Sequence, residues 1–126
     1  MADLKEKSVS LLATVTVPLN ADGVTTLYTV PVGKRCVLTQ VTLVAGADAG
    51  ATTTIQVGAT GATTDFIPNN TLSNLDAAYD VVVLQPVPNT TPLKNKSYAA
   101  STVIQASVGS NSGGATNTAY VFGTLY

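Results

Sequence analysis

The stretch Arg35-Cys36-Val37-Leu38-Thr39-Gln40-Val41-Thr42-Leu43-Val44 decides the fold class. Val37, Thr39, Val41 and Leu43 fall on one side at a period of two, and Leu38, Gln40, Thr42 and Val44 on the other, which is the pattern of a strand. Both sides carry apolar residues, so both are expected to be partly covered, as in a β-sandwich. Upstream, Pro31-Val32-Gly33 breaks the ladder, because Pro31 has no amide hydrogen to donate and Gly33 accepts turn geometry. Downstream, Ala45 to Ala51, with Gly46 and Gly50, reads as the tip of a hairpin that returns through Thr52 to Val57.

Period-2 alternation and Thr/Val enrichment recur on either side of this stretch. Val9 to Val17 sets Leu11, Ala13, Val15 and Val17 on one face; Asn20-Ala21-Asp22-Gly23 then predicts a turn into Val24 to Val30, a further hairpin. Asp65-Phe66-Ile67 reads as a short strand stopped by Pro68, and Leu72, Leu75 and Tyr79 space themselves as one helical turn would. Asp80 to Gln85 reads as a buried strand by its continuous valine run, followed by a crossing loop stiffened by Pro86, Pro88 and Pro92. Ser101 to Val108 and Asn117 to Tyr126 complete about eight strands. The last puts Ala119, Val121 and Leu125 on one face and Tyr120, Phe122 and Tyr126 on the other. The expected fold is all-β: a single β-sandwich of jelly-roll type over residues 9–126, preceded by an arm over 1–8. An immunoglobulin-like sandwich is the runner-up, disfavoured by the lack of Trp and of a cysteine pair.

Composition excludes several classes of function. Charged residues make up 10% of the 126, against about 25% in an ordinary domain, and the net charge is −1 with no cationic cluster. Nucleic acid is therefore not an expected partner. No apolar run approaches the roughly 20 residues of a membrane-spanning helix, so no membrane is expected either. Met1 to Lys7 is too charged for a secretory leader, which points to synthesis in a cytoplasm.

The chain has no histidine, which removes the commonest general base and zinc ligand. Asp76 and Asp80 are the nearest approach to a catalytic carboxylate pair, but their positions after a turn and before a strand are those of ordinary turn carboxylates. Asp22, Asp48, Asp65, Asp76 and Asp80 are scattered singly, without the alternating acidic loop of a calcium site. Gly58, Gly61, Gly113 and Gly114 lack the Lys-Ser/Thr pair of a phosphate loop. Cys36, inside a strand, reads as a small core residue. Lys34-Arg35 and Lys94 with Lys96 could touch an acidic partner or simply be solvated strand ends, and the triplets headed by Asn69, Asn89 and Asn95 are what a Thr-rich chain produces by chance. Tyr79 and Tyr98, near loops, are the candidates for stacking on a sugar; Tyr28, Tyr120 and Phe122 lie in strands. No enzyme, metal or cofactor is expected.

The run from Thr29 to Leu43, Thr-Val-Pro-Val-Gly-Lys-Arg-Cys-Val-Leu-Thr-Gln-Val-Thr-Leu, resembles a strand, Pro-x-Gly-Lys-Arg corner and second strand found in small virion structural proteins of tailed bacteriophages. The resemblance implies a capsid decoration or cement protein on the outer surface of the head. Such a protein would assemble as a homo-oligomer, with a trimer favoured, and clamp neighbouring major capsid protein subunits. On that reading the arm, with Asp3, Leu4, Lys5, Lys7 and Val9, lies across the capsid, and Tyr120, Phe122 and Tyr126 contribute to the oligomer. Similar corners occur in tail and head-fibre proteins, which leaves a component binding a host-surface glycan or receptor as the alternative.

Overall fold

Valine, threonine and isoleucine are stiff at χ1 and pack well on a pleated surface, and the segments rich in them become the strands. A computed structural model describes residues 9–87, 90, 94–113 and 116–126. Its strands are β1 (Ser10–Pro18), β2 (Gly23–Thr29), β3 (Cys36–Ala45), β4 (Thr54–Ala59), β5 (Ala62–Thr71), β6 (Val81–Leu84), β7 (Ser97–Tyr98), β8 (Val103–Gly109) and β9 (Thr116–Leu125). They form two antiparallel sheets, one ordered β1-β9-β3-β6 with the two-residue β7 also on β3, the other ordered β2-β8-β4-β5. The molecule is an all-β sandwich, as the alternation predicts. The arm over 1–8, and Pro88 and Pro92 of the expected crossing loop, lie outside the described residues.

The core lies between the sheets. Val17, Leu38, Val41, Leu43 and Val121 face it from one sheet, and Leu27, Ile55, Val57, Ile104 and Ala106 from the other, all essentially without solvent contact. Burying each such aliphatic side chain is worth about 1.5–3 kcal/mol before conformational entropy is subtracted.

Two of the expected hairpins are crossings instead. β1 pairs with β9 and β2 with β8, so the turn at Asn20–Gly23 carries the chain from one sheet to the other. Leu19 drives this: it is wholly buried at the end of the sandwich. Likewise β3 pairs with β9, β6 and β7 whereas β4 pairs with β5 and β8, and Ala49 and Thr53, both fully buried, pull the intervening segment over the end of the core. The tight hairpin that does form joins β4 to β5 through Thr60-Gly61, with Gly61 at φ +82°. β5 continues past Pro68 because it is an edge strand, where a missing amide hydrogen breaks no ladder.

No helical turn forms at residues 72–79. Leu72 and Leu75 are buried, and the amide of Leu72 donates to the carbonyl of Thr53 at 2.8 Å while that of Ala49 donates to Leu75 at 2.8 Å. These long-range bonds hold the backbone in consecutive turns. β6 is also not buried on both faces. It is the edge strand beyond β3, so Val82 and Leu84 turn inward and Val81 and Val83 remain 54% and 48% exposed.

Alternation itself is interrupted twice. In β1 the register against β9 passes from Leu11–Phe122 to Ala13–Val121, leaving Leu12 as an extra residue that turns into the core while Leu11 turns out. In β3 it passes from Leu38–Gly123 to Gln40–Phe122, leaving Thr39 extra, so Leu38 and Val41 both face inward. Both bulges flank Phe122 on the central strand β9, the one in β1 on its Val121 side and the one in β3 on its Gly123 side. A Cβ on Gly123 would sit 2.5 Å from the carbonyl oxygen of Val37 and 3.0 Å from Leu12 Cδ1. Only glycine fits between the two bulged neighbours.

Candidate interaction surface

Residues directly opposite on antiparallel strands point the same way, so the registers give the composition of each outer face. Across the β1-β9-β3-β6 sheet, Thr14, Tyr120, Thr42 and Val83 form one row. Thr16, Thr118, Val44 and Val81 form the next, and Leu11, Phe122 and Gln40 a third. Every residue in these rows is uncharged. Leu11, Val81 and Val83 are exposed and Tyr120 and Phe122 half-buried, while Gln40 Nε2 turns back to donate to Thr42 Oγ1 at 3.3 Å. The face is thus a hydroxyl and apolar platform that desolvates without stranding a charge.

The opposite face is different in kind. There Ser107 lies across from Val24 and Gln56, and Gln105 across from Thr26. Gln56 Nε2 donates to Thr63 Oγ1 at 2.8 Å and Thr60 Oγ1 to Gln105 Oε1 at 3.2 Å. This is an amide surface that satisfies itself.

Tyr120, Phe122 and Tyr126 lie on one face, as the unbroken period of β9 predicts. Tyr126 stands at its rim and belongs to the corner made by Pro31-Val32-Gly33-Lys34. There the Lys34 amide donates to the Pro31 carbonyl at 3.2 Å and Gly33 adopts φ +79°, the geometry a type II turn needs at that position. Arg35 follows the corner and pairs backbone to backbone with Tyr126 at 2.8 and 3.0 Å. Arg35 Nε donates to Ser97 Oγ at 2.9 Å and Nη2 to the Ser97 carbonyl at 3.0 Å, and the Ser97 and Tyr126 hydroxyls meet at 2.6 Å. The Lys-Arg corner therefore staples β7 and residue 126 to the start of β3. Of the arm residues, Val9 is exposed beside β1, and Asp3, Leu4, Lys5 and Lys7 lie outside the described residues.

Asp76 is exposed on its turn, and Asp80 Oδ2 accepts from the Ala77 amide at 2.9 Å. Asp22 accepts from the Asn111 amide, Asp48 from the Gly50 amide, and Asp65 pairs with Lys96 at 2.8 Å. Among the described residues no three of Cys, Asp and Glu come together as metal ligands would. Cys36 is buried, and burial pushes its thiol up to about 11. Tyr98 is 2% exposed and offers no ring to a sugar, whereas Tyr79 is exposed at φ +71° on a different loop. The exposed β6 valines and Leu11 escape a reading of the sequence, because β6 looks like core and Leu11 shares its period with Val15 and Val17.

No protein-family model matches this chain, and no curated protein sequence does. Among the solved structures that share its fold are two of phage capsids. One is the cyanophage Pam1 capsid asymmetric unit, a chain of which matches at TM-score 0.53 and 17% identity over 92% of this chain and 84% of that one. The other is the acidic stable capsid structure of Helicobacter pylori bacteriophage KHP30, at TM-score 0.53 and 17% identity over 94% and 95%. At that identity the likeness is one of fold.

Proposed function

We propose that this chain is a non-enzymatic structural protein of a bacteriophage virion, a decoration or cement protein that oligomerises and binds major capsid protein on the outer surface of the head. The observation that carries the reading is the uncharged outer face of the β1-β9-β3-β6 sheet, on which Leu11, Tyr120, Phe122, Val81 and Val83 gather. A face of that composition gains by losing water against a matching neutral surface, and has little to offer a soluble charged substrate.

The wrapping of the chain supports the same reading. With β7 set aside, the orders β1-β9-β3-β6 and β2-β8-β4-β5 are reached by a chain that keeps crossing between sheets, which is how we read a jelly roll, a fold used by viral capsid domains. The two solved structures compared above are of phage capsids. A domain repeated many times over a shell can hold by weak single contacts, since avidity multiplies them. In this scheme Tyr120, Phe122 and Tyr126 form the contact between copies, a trimer being favoured, and the arm with Asp3, Leu4, Lys5, Lys7 and Val9 reaches a capsid subunit.

Sedimentation of the purified protein with expanded heads lacking it tests the proposal. Saturable co-sedimentation, and heads that open at a higher temperature once coated, are the expected results. A protein that stays monomeric and leaves the heads both bare and equally labile would rule the proposal out.

A further inference from the structure

A recess of about 310 Å³ opens where β7, the residue preceding β3 and the β4–β5 turn meet, lined from both sheets by Arg35, Lys96, Asp65, Tyr98, Thr60 and Ser97 among others. In a chain with so few charges, three converge here from separate segments. Each is already engaged by a neighbour within the chain. Arg35 is held by two bonds to Ser97 that use Nε and Nη2, and neither of these bonds involves Nη1. Lys96 Nζ is held by Asp65 Oδ2 at 2.8 Å, and an ammonium has three donors. The local sum is one positive charge.

We propose that this recess accepts the carboxylate of an acidic side chain on a protein partner, bridging Arg35 Nη1 and Lys96 Nζ. Arginine suits the role because its planar fork is already oriented, so little freedom is lost on pairing. Tyr98 lines the recess below them, with its hydroxyl buried and without a hydrogen-bond partner. Burial, then Asp65, then Cys36 push that phenol up to about 12, so it stays neutral and adds no charge to repel an anion. Among the described residues, the outer face of the β1-β9-β3-β6 sheet can adhere but has no charge by which to orient a partner; this cationic recess supplies direction. The proposal does not depend on the virion reading, because any exposed acidic segment would engage the site.

Titration of the intact protein with the capped tripeptide Ala-Glu-Ala, followed by the NMR signals of Arg35 and Lys96, tests it against Ala-Gln-Ala and inorganic phosphate. The glutamyl peptide is expected to shift these signals saturably and the glutaminyl peptide to leave them in place. Lys96→Gln should weaken the binding roughly five- to tenfold, while Asp65→Asn, which removes the competing negative charge, should tighten it severalfold. A merely structural Lys96–Asp65 pair would move neither value. Equal shifts with both peptides, a site that takes phosphate and ignores the glutamyl peptide, or variants that change nothing would overturn the assignment.

Discussion

Gly123 shows how narrowly a single residue is constrained. Its backbone is ordinary, so the demand is for space rather than for a left-handed conformation, and the atoms crowding it include the backbone of Val37. Gly123→Ala should therefore destabilise by about 1–3 kcal/mol in urea unfolding, as overpacking does; an unchanged midpoint would mean that the bulges relax freely. Burial of Cys36 ties stability to alkaline pH. Its thiol rises from 9.0 to about 11 on folding, so between those values the unfolded chain loses a proton that the folded chain keeps. Stability contributed by the neutral thiol is full below pH 9 and lost as pH rises toward 11, a fall of about 2–3 kcal/mol. Alkaline melting curves should show this fall, and Cys36→Ala should remove the part of it between pH 9 and 10. Tyr98 extends the same trend from 10 to about 12.

Elements were legible in the sequence where alternation is unambiguous and obscure where valine and threonine sit on both faces. β8 and β9 read correctly because Ile104, Ala106 and Val108, and Ala119, Val121 and Leu125, are separated by polar or half-covered residues. β3 read correctly as a strand but as one unbroken period, whereas Leu38, not Val37, shares the buried face with Val41 and Leu43, since an extra residue in Val-Leu-Thr-Gln-Val leaves no mark when either phase looks apolar. The pairing of strands was hidden for another reason. A turn sequence such as Asn20–Gly23 reports that the chain bends, and the burial of Leu19 and Ala49 decides which sheet it enters. The aromatic row was visible in advance, yet its flanks on β1 and β6 were not. β6 offers a direct check of the two faces it was denied: Val82→Ser should lose about 1–2 kcal/mol, whereas Val83→Ser should stay within about 0.5 kcal/mol of the parent. Equal losses measured by denaturant melts would place both side chains in the core.

For the molecule as a whole, the absence of charge among the described residues of one broad face predicts how association responds to salt. Electrostatic contacts weaken as the screening length falls from about 10 Å at 0.1 M to about 3 Å at 1 M. On the proposed contact between copies, self-association through this face should change less than about twofold over that range in sedimentation equilibrium. Tyr120→Glu together with Val83→Lys should abolish it while the circular dichroism of the fold persists. A steep salt dependence would move the contact elsewhere, to the rim where Arg35 and Lys96 lie.

β9, described above as the middle strand of its sheet between β1 and β3, is also supplied by residues 116–125. A ribosome must therefore release β1 and β3 while the strand that joins them is still unmade, at a synthesis rate of about 5–20 residues per second. Two hydrophobic ribbons wait for their shared neighbour, and pairings so distant along the chain are slow to close. Nascent chains stalled before residue 116 should be digested readily by protease, and those in which an added C-terminal linker carries Tyr126 clear of the ribosome should resist; resistance in the shorter chains would mean that the sheet can assemble around a gap.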